Sequence, residues 1–569
     1  MAPARQPLAT LTSRTRRVGY RAATTDFSFT TQMIGRNGSI KPSSDSCWGR
    51  RTPSECDGDT GAIRSAYEAA CSSASSAEGA SNPWHELLYD RLRDRALPAL
   101  IADETITPAA SLWTGSRLWL DSFREAGLQR GDRLLISLSP SAAFAQVVVA
   151  ALWQGVTLVM LPPEADIDAH LASMDARAAV TDQGMRCGVP TSACATPHTW
   201  RPEGLTGPAE PPKSLRDVTG PRTPDVRFLL STSGTTGSPT WVALSDRNVL
   251  SVLATHMPLL GLRNARTLSV LPWDHAFGLV LDFLPALLSE AEIIRDPNGG
   301  RDPEELLRLA RAWGATHLTA VPLVIDRIAD ADGGPGMLCS LDGGIVGGAP
   351  VSGSLAQLLS GTSLRAGYGQ TEASPGIALG PPGHWAANYL GQPLGCCVDI
   401  ADDGELHFSG DNACIGVWRE GQLEREDPDR RVATGDLALR KGDDLFFRGR
   451  TDNTFKLSNG RLVAAGHVES VVKQRFTSIE EAFLFSPDGD NVALAIRLKE
   501  PNSTAPSREA ICNAIGSISQ RLIEVRSIPE KDWHRTPKGT VARTEMDAFL
   551  QRTFSKEASS SSSAPSSSS

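Results

Sequence analysis

The run Leu230-Ser231-Thr232-Ser233-Gly234-Thr235-Thr236-Gly237-Ser238-Pro239 follows the apolar residues Phe228-Leu229-Leu230. Gly234 and Gly237 let the backbone curl so that several N–H groups can face one anion. The hydroxyls of Ser231, Thr232, Ser233, Thr235 and Thr236 add donors without bulk, which suits a polyphosphate. The run is neither GxxxxGK[ST] nor GxGxxG, so it is not the loop of a P-loop NTPase or of a dinucleotide fold. Read alone, the same composition also serves as a flexible linker.

Four later segments place complementary chemistry on the same chain. In Tyr368-Gly369-Gln370-Thr371-Glu372 an aromatic ring can stack on a base, the Thr371 hydroxyl can reach a phosphate, and the Glu372 carboxylate can hold Mg²⁺. In Thr434-Gly435-Asp436-Leu437 the carboxylate can accept from both hydroxyls of a ribose; otherwise it is a turn residue. Gly449-Arg450-Thr451-Asp452 precedes Phe455-Lys456-Leu457-Ser458-Asn459-Gly460. Finally, Thr536-Pro537-Lys538-Gly539 holds a lysine in a Pro/Gly loop, a fixed cation suited to a place where a carboxylate meets a phosphate. Only 9 of the 56 basic residues are lysines, which makes Lys538 more informative.

Five such segments in this order resemble the acyl-adenylate-forming (AMP-binding) superfamily of acyl-CoA synthetases, nonribosomal-peptide adenylation domains and firefly-type luciferases. The resemblance covers about residues 82 to 550. It implies that Ser231, Thr232, Ser233, Gly234, Thr235, Thr236 and Gly237 hold the β- and γ-phosphates of ATP. Tyr368 would stack on adenine, Thr371 would touch a phosphate and Glu372 would bind Mg²⁺. Asp436 and Arg450 would take the ribose, and Asp452 would be the hinge between a large and a small domain. Lys538 would bridge the substrate carboxylate and the α-phosphate. Gly347 and Gly348, in Gly347-Gly348-Ala349-Pro350, would line the acyl and adenine sites. Gly460 would shape a thiol tunnel after the small domain rotates. The chain departs from the family at Thr240, where the loop usually carries lysine, and at Ala366, where Asn is common.

The segment Leu271-Pro272-Trp273-Asp274-His275-Ala276-Phe277-Gly278 is similar to the Pro-x-x-His-x-x-Gly stretch of acyl-CoA and aryl-acid ligases. It places Trp273, His275 and Phe277 at the acyl pocket. It lacks the Phe-Asp pair of amino-acid-activating domains, so the expected substrate is an apolar, fatty or aryl, carboxylic acid. The acceptor implied by the resemblance is a phosphopantetheine thiol, first coenzyme A and next a separate carrier protein. No carrier element follows Arg543.

The elements that must position these residues alternate. Ser111 to Ala126 reads as a helix ended by Gly127, and Leu134 to Ile136 as a short strand. Glu304 to Trp313 reads as an amphipathic helix capped by Asp302 and stopped by Gly314, before a strand from His317 to Val321. Further strands are expected over 226–230, 267–271 and 363–366. Alternation of this kind predicts an α/β chain, a large domain of parallel-rich sheets flanked by helices. Past Arg450 the segments shorten. Strands at 482–485 and 493–498 and a helix over 507–522 predict a small, mobile α+β domain. The expected division is a disordered or targeting extension at 1–81, a large AMP-binding domain at 82–450, a small domain at 451–556 and a Ser-rich disordered tail at 557–569.

The 569 residues exceed what one core accommodates. The net charge of −9 disfavours a nucleic-acid binder. The 10 cysteines include no CxxC, so neither a zinc ribbon nor a disulfide framework is indicated. Leu134 to Pro163 carries no charge, but Pro140, Gln146, Gln154 and Gly155 interrupt it. It reads as strand, buried helix and strand rather than a membrane span. The first 44 residues hold seven basic residues and one acid, as an organelle transit peptide would. A cytoplasmic location is the expectation otherwise. Besides the ligase, two readings compete: a nucleotide-binding pseudoenzyme, suggested by Thr240 and Ala366, and a luciferase-like oxygenase, which no residue supports.

Overall fold

The computed structural model describes residues 58–73, 82–92, 98–102, 105–182, 184–187, 225–232, 240–451, 454–458, 462–500, 503–535 and 541–560. Within them, the uncharged stretch resolves into the strand Arg133–Ser137, the helix Ala142–Gln154 and the strand Thr157–Met160. Ser141 starts the helix by accepting from the Phe144 N–H, and Gly155, at φ 79°, ends it. These strands pair in parallel with each other, with Ala178–Thr181 and with Phe228–Thr232, in the middle of an eight-stranded sheet. Near-continuous apolar runs are what a sheet buried on both faces requires. Among the described residues no helix is long and apolar enough to cross a membrane.

A five-stranded sheet, parallel in four of its strands, runs His317–Thr319, Arg266–Ser269, Glu292–Arg295, Pro98–Ala102 and Thr105–Pro108. The helix Pro303–Trp313 leads into its first strand. Asp302 accepts from the Glu304 and Glu305 N–H groups, and Gly314 takes φ 59°. A second eight-stranded sheet begins with the parallel pair Ile345–Gly347 and Arg365–Tyr368 and continues antiparallel through Tyr389–Pro393, Asp444–Arg450 and Val432–Lys441. The fold is the expected α/β class, with parallel-rich sheets flanked by helices and a smaller C-terminal part.

That C-terminal part has a three-stranded sheet of Ile479–Phe485, Val492–Leu498 and Leu522–Ser527. Alternation divides its side chains between two cores. Leu484, Leu494 and Ile496 pack with Ile511 and Leu522, whereas Phe483, Phe485 and Ala495 pack with Met546 and Leu550. The single helix expected over 507–522 is instead Arg508–Ala514 followed by a 3₁₀ turn, Gly516–Arg521. Gly516 at φ 67° breaks the α-helical path. The helix Arg543–Ser560 extends past position 557, where a structureless tail was expected to begin.

The expected extension is corrected over 58–73, which forms a helix. Its Ile63, Ala66 and Ala70 are buried in the main core. Tyr67 hydrogen-bonds Asp411. An Ile-x-x-Ala-x-x-x-Ala stripe is enough to seat this helix on the helix Asp246–Leu260. The basic residues of positions 1–44 lie outside the described residues.

Candidate functional site

Two positioning devices flank the hydroxyl- and glycine-rich run at 231–237. The strand Phe228–Thr232 pairs antiparallel with Thr240–Leu244, Thr232 opposite Thr240, and the Thr232 hydroxyl donates to the Thr240 carbonyl at 3.3 Å. At the base of the hairpin Arg227 grips Asp246 with both arms, Nε to Oδ1 at 2.7 Å and Nη2 to Oδ2 at 2.8 Å. Trp84 Nε1 donates to the same Oδ1 at 2.6 Å. Burial alone would raise the Asp246 carboxyl; Arg227 and then Trp84 outweigh it and hold it below its usual range. Ser231 and Thr232 thus stand at the end of a fixed strand. Ser233, Gly234, Thr235, Thr236 and Gly237 lie outside the described residues.

The strand Thr240–Leu244 packs on the short turn Thr371–Ala373, which carries Glu372. That turn is pinned from below: the Cys414 N–H donates to the Glu372 carbonyl at 2.8 Å, and the Ser374 hydroxyl to the Asn412 carbonyl at 2.9 Å. Gly416–Arg419, which follows, pairs with Thr240–Leu244. The hairpin Phe228–Thr232/Thr240–Leu244 and the Glu372 turn therefore share one scaffold. Burial raises the Glu372 carboxyl; its own backbone N–H and the Arg450 charge oppose that. Among the described residues Glu372 makes no salt bridge. A half-buried carboxylate of that kind is a fitting ligand for Mg²⁺ shared with phosphate oxygens. No cluster of three or more His, Cys, Asp or Glu stands among the described residues to make a self-contained metal site.

Tyr368 ends the strand Arg365–Tyr368 and donates its hydroxyl to Asp436 Oδ2 at 2.7 Å. Arg450 Nη1 donates to Asp436 Oδ1 at 3.0 Å. Asp436 and Arg450 face each other in register across neighbouring strands. Gly435 sits at φ 73°, and a Cβ there would come within 2.9 Å of Arg450 Nη2, so the Gly-Asp order clears room for the guanidinium. Burial and then the Asp436 charge push the Tyr368 phenol well above its usual range. Tyr368 is therefore a neutral donor.

Beside this cluster lies a cavity of about 190 Å³. Its wall includes His275, Phe277, Leu281, Ile345, Gly348, Tyr368, Gln370, Thr371, Ala378 and Leu379. The Pro272-to-Gly278 turn owes its shape to its glycine, since a Cβ on Gly278 would meet the Pro272 carbonyl oxygen at 2.0 Å. Gly369 is equally constrained, its Cβ falling 1.4 Å from the Pro375 oxygen. His275 and Phe277 both stand on the wall of this cavity.

Two expected wall residues do not reach it. Trp273 is fully buried, with its ring 4.5 Å from Phe283 and 5.2 Å from Phe144. Its Nε1 donates to Ser269 Oγ at 3.1 Å. Its large ring and satisfied N–H belong to the core on the far side of the turn. Gly347 stands behind the wall, within the strand, where a Cβ would meet the Gly367 oxygen at 2.4 Å. Gly348 at φ 83° is the glycine that lines the cavity. Asp452, Gly460 and Lys538 lie outside the described residues.

Two buried groups escape the sequence reading. His256 lines the cavity from the buried side of the helix Asp246–Leu260. A histidine in mid-helix gives no signal until the helix is docked. Asp282 is buried under the Pro272–Gly278 turn in a π-helical turn, Leu279–Phe283. Ser269 Oγ donates to its Oδ2 at 2.5 Å. Burial raises this carboxyl to about 6, against opposing effects of Ser269, Arg295 and Trp273.

Residues 120–416 match the family described as AMP-binding enzyme. Tyrocidine synthase 2 of Brevibacillus parabrevis is 26% identical over 276 residues, 44% of this chain and 8% of that one. Long-chain-fatty-acid–CoA ligase 1 of Homo sapiens is 25% identical over 397 residues, 59% of this chain and 54% of that one. This chain thus spans at most about half the length of these curated relatives. The solved structure of the anthranilate CoA ligase AuaEII with anthranoyl-AMP superposes with a TM-score of 0.63 at 17% identity, covering 84% of this chain and 97% of that one. With more than half of its length matched, and with this fold, the chain belongs to the AMP-binding enzyme family.

Proposed function

We propose that this protein is an ATP-dependent acid–thiol ligase. It activates an apolar, fatty or aryl, carboxylic acid as acyl-AMP, releases pyrophosphate, and passes the acyl group to a phosphopantetheine thiol, first of all coenzyme A. The observation that carries this reading is the juxtaposition at one site of Tyr368–Asp436–Arg450, the Glu372 turn and an apolar-walled cavity. A polar cluster for a nucleotide and a mostly apolar pocket for an acyl chain are the two halves that the reaction needs.

Attack of a carboxylate on the α-phosphorus of ATP brings two anions together, so catalysis rests on opposing that repulsion. Glu372 would hold Mg²⁺, which supplies positive charge at the phosphates when bound. Ser231 and Thr232, with Ser233, Gly234, Thr235, Thr236 and Gly237, would offer hydroxyl and N–H donors to the β- and γ-phosphates, and Thr371 a further hydroxyl. Asp436 and Arg450 would hold the ribose, and the Tyr368 ring the adenine. Lys538 would neutralise the carboxylate and the α-phosphate as the new P–O bond forms and pyrophosphate leaves. A swing about Asp452 would then bring Gly460 to the thiol path, with the large domain at 82–450 and the small one at 451–556.

The similarity to a long-chain-fatty-acid–CoA ligase supports a fatty acid and coenzyme A. The similarity to tyrocidine synthase 2 supports the alternative acceptor, the phosphopantetheine of a separate carrier protein. ATP–pyrophosphate exchange across a panel of acids tests the ligase. Exchange with at least one acid, lost by about 100-fold or more in Lys538→Ala, is the expected result. No exchange with any acid would leave a nucleotide binder, the reading suggested by Thr240. Coenzyme A against a loaded carrier protein then decides the acceptor.

A further inference from the structure

Asn248 is the third residue of the helix Asp246–Leu260 and is 4% exposed. Its Oδ1 accepts from the Ser245 N–H at 2.8 Å, and the Ser245 hydroxyl accepts from the Asn248 N–H at 3.2 Å, which closes a reciprocal cap at the helix start. Its Nδ2 donates twice, to the Asp411 carbonyl at 2.7 Å and to the Ala413 carbonyl at 2.8 Å. The partners fix the amide orientation, since a backbone N–H can only donate and backbone carbonyls can only accept. The stretch that Asn248 grips holds the Glu372 turn and the residues after it in three places. Besides the Cys414 N–H on the Glu372 carbonyl and the Ser374 hydroxyl on the Asn412 carbonyl, Asn412 Nδ2 donates to the Gly376 carbonyl at 2.7 Å. The Asp411 carboxylate is tied in turn by Arg247 Nη2, at 2.5 Å, and by the Tyr67 hydroxyl.

Ser245 directly follows the strand Thr240–Leu244, whose first residue stands opposite Thr232. Asn248 therefore couples the end of that hairpin, through residues 411–414, to the backbone that carries Glu372. It is not part of the cavity wall, so its effect passes through other groups. Resting on the ligase reading above, we infer that Asn248 is a positioning residue for the proposed Mg²⁺ site: it sets Glu372 relative to the run at 231–237. Metal binding is sensitive to such placement, because a displaced carboxylate no longer meets the ion while the ion also holds phosphate oxygens. Loss of the Asn248 side chain removes both donors and leaves the Asp411 and Ala413 carbonyls without that partner. The helix cap can be separated from this effect. Ser245→Ala removes the hydroxyl's half of the cap but leaves the Asn248 amide in place to hold the Ser245 N–H and the stretch 411–414.

The experiment is calorimetric titration of the full chain with a non-hydrolysable ATP analogue, with Mg²⁺ and with EDTA in its place. Wild-type protein is expected to bind the analogue more tightly with Mg²⁺. In Asn248→Ala that gain is expected to fall by about tenfold, the usual cost of disturbing a group that orients a metal ligand, with the Mg²⁺-free affinity unchanged. Ser245→Ala also weakens the helix start and is expected to keep the wild-type gain; thermal melts compare the stability that the two variants lose. Ser374→Ala deletes one hydroxyl in the same chain of contacts, so it carries the test should Asn248→Ala fail to fold, and its gain is expected to fall by a smaller factor. In a Glu372→Gln background, adding Asn248→Ala is expected to change the gain no further, as for two residues acting through one group. An unchanged gain in Asn248→Ala and Ser374→Ala, an equal loss in Ser245→Ala, or a wild-type protein indifferent to Mg²⁺ would overturn the positioning role, while ATP–pyrophosphate exchange still upholds the ligase. A wild-type protein that neither binds the analogue nor exchanges pyrophosphate with any acid would overturn both.

Discussion

The hydroxyl of Tyr368 donates to Asp436 at 2.7 Å, and this joins the end of one strand to another in the same sheet. The other oxygen of Asp436 is held by Arg450. Asp436 is thereby oriented from two sides, ready for the ribose that we propose it binds. Such preorganisation removes a cost from binding. Tyr368→Phe deletes one restraint and keeps the ring, and is expected to weaken ATP binding by about 5- to 10-fold, the worth of one hydrogen bond. Asp436→Ala removes both arms and is expected to cost more than tenfold. Calorimetric titration with a non-hydrolysable ATP analogue checks the order. Equal affinities in wild type and Asp436→Ala would show that the cluster does not bind nucleotide.

Glu372 makes no salt bridge among the described residues and stands on the turn beside the strand Thr240–Leu244. Glu372→Gln keeps the shape and removes the charge. We expect the Mg²⁺ concentration for half-maximal exchange to rise by about tenfold, as for the loss of one charged ligand. A Mg²⁺ titration of wild type and variant with the ATP:acid ratio fixed reads it out. Unchanged Mg²⁺ dependence would remove Glu372 from the metal site.

Arg227 and Asp246 form a bidentate pair in which the Arg227 side chain is 1% exposed. Asp246→Ala strands that guanidinium and is expected to destabilise the protein by about 3–5 kcal/mol, the usual cost of breaking a buried pair. Urea unfolding followed by tryptophan fluorescence measures this. The folded-state affinity of Asp246 for protons is lowered, so its contribution is present above the ordinary value of 3.8 and is lost as pH falls through the folded-state value. The difference between wild type and variant should therefore narrow in acid. A difference that is the same at pH 3 and pH 7 contradicts the assignment.

Asp282 shifts in the opposite direction, from 3.8 to about 6. The native state binds its proton more tightly than the unfolded chain does. Its contribution is thus full below 3.8 and lost as pH rises through about 6. The gap corresponds to roughly 3 kcal/mol. Asp282→Asn imitates the protonated form, so it is expected to gain stability relative to wild type between pH 4 and pH 7. Thermal melts at several pH values test the sign; a variant that loses ground as pH rises refutes it.

The local segments were legible wherever short-range chemistry writes them. Asp302 before Glu304 and Glu305, and Gly314 after Trp313, marked a helix at both ends, and the structure begins and stops it there. Gly155 separated a helix from a strand in the uncharged stretch for the same reason. The helix over 58–73 was missed because small residues carry a weak hydrophobic pattern, and its burial depends on the helix Asp246–Leu260, far along the chain. The helix expected over 507–522 failed at Gly516, whose positive φ outweighed the pattern on either side.

The amino-acid order by itself determined the chemistry on offer: the hydroxyl and glycine run, Glu372, Asp436, Arg450 and Lys538, and the punctuation that ends each helix. Those are properties of residue type and near-neighbour spacing. Only the tertiary structure decided which side chains face the cavity. It turned Trp273 into the core, put Gly348 rather than Gly347 on the wall, and brought His256 from a distant helix to the same space. The reason is geometric: a side chain's direction follows from how its helix or strand is docked, and docking is set by contacts between residues far apart in the chain.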